Sequence, residues 1–119
     1  MFYLCSFIQY DLSDCEGRKP KLPSRLLLES EYEDGDALGD DLAEQITGLT
    51  DFCVEGFCRR PVTHGCVVQR GKEYWGAGTG GWIKERSLAK VFMQVRAAKN
   101  LVATQGGVVV DIVQGKIIS

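Results

Sequence analysis

Four side chains able to ligate a soft metal fall within fourteen residues of the chain: Cys53, Cys58, His64 and Cys66. Zinc accepts thiolate and imidazole ligands in a tetrahedral site, so this set is the first candidate for chemistry. Its spacing, C-x4-C-x5-H-x-C, matches no standard zinc knuckle or ribbon, and Cys53 continues an apolar helical stripe described below. Buried or idle thiols are therefore the favoured reading, with no metal and no cofactor expected. His64 beside Cys66 could also pair as base and nucleophile. No orienting carboxylate stands nearby in sequence to complete such a set. We expect no catalytic residue and no enzymatic activity.

Two glycine- or acid-rich stretches imitate ligand loops and then depart from them. Asp34-Gly35-Asp36-Ala37-Leu38-Gly39 begins like a calcium loop, but Leu38 stands where an oxygen ligand belongs and Gln45 where a bidentate glutamate would sit. A solvated loop leading into a helix N-terminus explains the carboxylates better. Gly76-Ala77-Gly78-Thr79-Gly80-Gly81 lacks the Gly-Lys-Ser/Thr ending of a phosphate cradle and runs into Trp82-Ile83, which fits a hairpin turn.

Charge is the most informative property of the sequence. The net value of −2 conceals an asymmetry: residues 1–55 hold 4 bases and 13 acids, giving −9, and residues 56–119 hold 10 bases and 3 acids, giving +7. Such a division bears on association rather than on fold. Glu29, Glu31, Glu33, Asp34, Asp36, Asp40 and Asp41 cluster as a candidate surface for a basic protein partner, with a host protein among the candidates. In the basic half, Arg70, Lys72, Lys84 and Arg86 interleave with Tyr74, Trp75 and Trp82, the ingredients of a nucleic-acid interface. The acidic half would repel the same polyanion, so protein binding leads and nucleic-acid binding is the alternative, with a small-molecule or zinc-binding domain third. Opposed charges also permit a homodimer.

These groups need elements to position them. Phe2 to Leu12 is apolar on both faces and predicts an interior strand, Ser13 to Pro23 a loop, and Arg25 to Tyr32 a second strand. Leu38, Leu42, Ile46, Leu49 and Cys53 form one helical stripe, whose start lies near Asp36, Asp40 or the capping pair Asp41 and Glu44. Phe57 to Gly65 reads as a connection. Cys66–Arg70 and Glu73–Trp75 flank a Gly71-Lys72 hairpin signal, and Trp82-Ile83 follows a glycine turn. Ser87 to Gln105 fits one helix, although Val91-Phe92 would also suit a strand edge, and Val108 to Val113 predicts a buried strand. The expected class is α+β: a single domain over residues 1–119, mainly an antiparallel sheet of about five strands with two helices packed on one face.

The segments Arg70-Gly71-Lys72-Glu73-Tyr74-Trp75, Ser87-Leu88-Ala89-Lys90-Val91-Phe92 and Ala97-Ala98-Lys99-Asn100 resemble a module of small phage and mobile-element proteins, integron cassettes included. Its parts are a G-K-x-Y-W hairpin, an S-x-A-K-x-F segment, an A-A-K helix and a closing valine strand. The resemblance spans about residues 66–113, brings no catalytic residue, and implies an accessory factor that binds host machinery.

A length of 119 residues suits one domain that buries about two-thirds of its unfolded surface. Met1 to Tyr10 is too short and too interrupted for a membrane span and lacks the basic flank of a signal peptide. Five cysteines, an odd number, fit reduced thiols, so a cytoplasmic location is expected.

Overall fold

The computed structural model describes residues 1–13, 20–78 and 80–118. Cys15 and Thr79 lie outside the described residues, as does most of the expected 13–23 loop. The class is α+β, with two helices and two antiparallel sheets in place of one sheet of about five strands. The chain divides into two compact units, Met1 with Tyr3–Pro61 and Phe2 with Val62–Ser119.

In the first unit three strands, β1 (Phe2–Tyr10), β2 (Leu26–Glu29) and β3 (Val54–Pro61), form a sheet in the order β2-β1-β3. The apolar β1 is thus the interior strand, as its composition requires. Met1 and Ser30 exchange both backbone bonds, at 3.0 Å each, which is the antiparallel signature. The register of β1 with β3 runs from Tyr3 opposite Pro61 to Ser6 opposite Cys58, then shifts before Gln9 meets Gly56. That shift is a bulge, and Phe7 sits in it with φ of 50°. Beyond the bulge the buried positions change from odd to even, so Tyr3, Cys5 and Ile8 all face inward.

Helix α1 (Gly35–Thr50) supplies the other side of this core through Leu38, Leu42 and Ile46. Asp34 caps it, its carboxylate accepting from the Gly35 N–H at 2.7 Å. The start therefore precedes the three carboxylates proposed from sequence. Asp51, left-handed at φ 64°, ends it. The stripe stops early as a result: Leu49 is exposed, and Cys53 lies past the helix in water.

β3 replaces the expected connection. Gly56, two arginines and Pro61 weaken its strand signal, but an edge strand tolerates all of them, with Pro61 at its end.

In the second unit β4 (Cys66–Arg70), β5 (Glu73–Trp75), β6 (Trp82–Ile83) and β7 (Val108–Asp111) pair in the order β6-β5-β4-β7. The Gly71-Lys72 turn joins β4 to β5, with Gly71 at φ 59°. Ser87 to Gln105 is not one helix. A single 3-10 turn at Arg86–Leu88 is followed by bridges of Ala89 to Gly76 and of Phe92 to Cys66, and only Val95–Gln105 forms α2. Cys66, Val68, Phe92, Ala98 and Val109 make this unit's core. Gly107 permits the closest approach within it, because a Cβ there would stand 2.8 Å from the Gln69 carbonyl oxygen.

Leu42 and Leu49 share a sequence stripe but differ in burial, so truncation should separate them. Leu42→Ala should cost about 2–5 kcal/mol, and Leu49→Ala within about 0.5 kcal/mol, read as the shift in urea midpoint.

Candidate functional sites

The acidic cluster spans the β2–α1 connection and the first turns of α1, and its members divide by role. Asp41 is structural: its Oδ2 accepts from Ser30 Oγ at 2.5 Å and from Gln45 Nε2 at 3.0 Å, which ties the helix to the end of β2. Asp34 is the cap, with Arg59 Nη2 at 3.9 Å. Its carboxylate is nevertheless 97% exposed, so the ion pair contributes little. Glu29, Glu31, Glu33, Asp36 and Asp40 all face water. Asp36, Asp40 and the likewise exposed Glu44 recur at four-residue steps and form one ridge along α1, a helix with no lysine or arginine of its own. Like charges at this spacing repel.

Arg59 connects this ridge to the sheet. Its guanidinium donates to the Gly35 carbonyl at 3.2 Å, and a Cβ on Gly39 would stand 2.9 Å from Nη1. A mid-helix glycine, about 1 kcal/mol worse than alanine, is thereby explained by the side chain that crosses it.

A shallow depression of about 290 Å³ lies in the same unit, lined by Leu4, Ser6, Phe7, Arg25, Cys58, Arg59 and Arg60. Sequence reasoning missed it. Arg59 and Arg60 read as part of the basic half, but β3 carries them into the acidic unit. Leu4, Ser6, Cys58 and Arg60 project from the sheet face opposite Cys5, because Leu4 pairs with Arg60 and Ser6 with Cys58. The bulge that presents Phe7 leaves no signature in the sequence.

The basic and aromatic residues of the second unit have a different arrangement from an open stacking platform. Trp75 and Trp82 meet edge to face, with centroids 5.4 Å apart and planes at 85°, and both pack against the core. The Arg70 guanidinium covers the Trp82 ring at 4.2 Å while Glu73 approaches it at 3.6 Å. Lys72, Lys84 and Arg86 are exposed, and Tyr74 is half-buried.

The four thiols among the described residues are free and unlike one another. Cys53 and Cys58 are exposed; Cys5 and Cys66 are buried. Among the described residues no three His, Cys, Asp or Glu side chains stand together as a metal site. Cys66 Sγ lies 3.6 Å from the Phe92 carbonyl oxygen, and burial raises its pKa, with Asp111 adding to the effect. His64 is exposed, and its Nδ1 shares a 3.2 Å hydrogen bond with Thr63 Oγ1. Burial pushes the Cys5 thiol up to about 11, against an opposing pull from the Arg59 charge.

No helix among the described residues is long and apolar enough to cross a membrane. Comparison with protein-family models, curated proteins and solved structures finds no match for the chain.

Brief alkylation of the native protein should modify Cys53 and Cys58 and spare Cys5 and Cys66 until denaturant is added, as read by peptide mass spectrometry. Cys5 also predicts an alkaline limit. Its folded pKa lies above the ordinary 9.0, so its contribution is complete below pH 9 and falls as pH rises toward 11. Cys5→Ala should flatten the decline in unfolding free energy over that interval relative to the parent.

Proposed function

We propose that the chain is a non-enzymatic, cytoplasmic protein-binding accessory factor that engages a basic partner through the acidic surface of its first unit. The observation carrying this reading is the ridge of Asp36, Asp40 and Glu44, with Glu31 and Glu33 beside it, exposed on a helix that has no base of its own. Repulsion at four-residue spacing costs a few tenths of a kcal/mol per pair. A complementary cationic surface would relieve that cost and speed encounter. The resemblance of residues 66–113 to phage and mobile-element accessory proteins supports a host protein as the partner. The covered Trp82 ring and the half-buried indoles weigh against the nucleic-acid alternative, which needs open ring faces.

The test is capture from host lysate at low salt, with release on raising the ionic strength. Replacing Asp36, Asp40 and Glu44 by Asn, Asn and Gln should leave the fold intact, because the three side chains are exposed, and should abolish capture. Equal retention by parent and triple variant, or the lack of any salt-sensitive partner, would refute the reading.

A further inference from the structure

We propose that the depression on the first unit is a binding site for a small phosphate monoester with a flat organic group, its phosphate held by Arg25 and Arg60 and its ring laid against Phe7. Three independent features of the depression point there.

The first is uncompensated positive charge. Arg25 and Arg60 are exposed and have no hydrogen-bonding or ionic partner among the described residues, whereas Arg59 is held by Asp34 and the Gly35 carbonyl. Two free guanidinium groups beside one cavity match the charge of a phosphate monoester, about −1.5 to −2 at neutral pH, and their planar donor forks suit its oxygens. The Ser6 hydroxyl, on the same lining, adds a neutral donor.

The second feature is Phe7. Its backbone is left-handed at φ 50°, a conformation costly for a bulky residue, and the residue is 75% exposed. The bulge serves the core by turning Ile8 inward, but that task does not require an aromatic at Phe7; asparagine or glycine would occupy the position with less strain. An exposed aromatic held in a strained conformation at the rim of a charged depression is what an aromatic ligand would use.

The third is scale. About 290 Å³ lies at the lower end of small-molecule sites. The unit as a whole, residues 1–61, holds six bases and thirteen acids, so a long polyanion meets repulsion beyond the depression while a compact dianion does not.

The test is a two-dimensional NMR titration of the full isotope-labelled chain with phenyl phosphate, inorganic phosphate and benzoate. Phenyl phosphate should shift the amides of residues 6–8 and 58–60 saturably. Inorganic phosphate should shift the same residues with affinity about three- to tenfold weaker, for want of the ring contact, and benzoate should be weaker than phenyl phosphate for want of the second charge. Arg60→Gln should weaken phenyl phosphate binding about ten- to a hundredfold. Phe7→Asn should reduce phenyl phosphate to the affinity of inorganic phosphate without lowering the melting temperature, because asparagine tolerates the left-handed backbone. In the parent protein, phenyl phosphate should also slow alkylation of Cys58, which lines the depression, and leave that of Cys53 unchanged. Shifts scattered over the surface without saturation, equal affinity for all three ligands, or unaltered binding by Arg60→Gln would each overturn the proposal.

Discussion

The first unit depends on one strand keeping a single face against the helix along its whole length. β1 lies between two partners and its apolar residues alternate out of phase, with Tyr3 and Cys5 odd and Ile8 even. A regular strand would direct Ile8 to the opposite face, because a one-residue step reverses every later side chain. The bulge at Phe7 restores the phase and lets Ile8 join Leu38, Leu42 and Ile46 in the core. The unit's other features follow from that repair. β3 pairs along β1 on both sides of the irregularity, which sets Arg59 on the helix side and Arg60 on the other. The displaced residue, Phe7, emerges at the rim of the depression.

This alternation along β3 also explains why total charge describes the first unit poorly. Cut after Glu55, the sequence separates into strongly acidic and strongly basic parts. Cut where the fold divides, after Pro61, the first unit gains Arg59 and Arg60 and stands at −7, and the remainder at +5. Arg59 turns to the helix and is absorbed by the Asp34 cap and a carbonyl. Arg60 turns away to join Arg25, which comes from the far edge of the sheet. The unit therefore carries an acidic ridge on its helix and an arginine-lined depression on its sheet. Two adjacent residues serve opposite ends of that polarity because a strand presents successive side chains to opposite faces.

Much of the fold was legible in the sequence wherever one physical signal dominated. The interior position of β1 followed from apolar residues on both faces, the β4–β5 hairpin from Gly71-Lys72, and β7 from an unbroken valine run. The failures share a cause: a local preference that tertiary pairing overrode. β3 has glycine, two arginines and a proline, so no local pattern marks it, and it is a strand only because the edge of β1 is available. Residues 87–93 suit a helix and a strand edge alike in sequence, and the edges at Cys66 and Gly76 draw them into bridges. Asp34, read as part of a solvated loop leading into the helix, is its cap. The acidic surface could be read from composition; the depression could not, since it needs the bulge, the register and β3 together.

The acidic ridge and the depression also differ in how firmly the fold holds them. The ridge stands on a helix anchored at several points: the Asp34 cap, the Asp41 contacts with Ser30 and Gln45, and the Arg59 side chain across Gly39. Such a surface is preorganised, so a partner meets it without ordering the backbone first. The depression is built on strands too, but its polar groups, Arg25 and Arg60, are exposed side chains whose rotamers nothing in the described structure fixes. A ligand there must order them, and each immobilised arginine costs about 0.5–1.5 kcal/mol. Phe7 is the exception, since its backbone is already held left-handed with the residue exposed. Of the groups that would meet a ligand, the aromatic is therefore the preorganised one, and the arginines supply charge whose value depends on how much mobility they surrender.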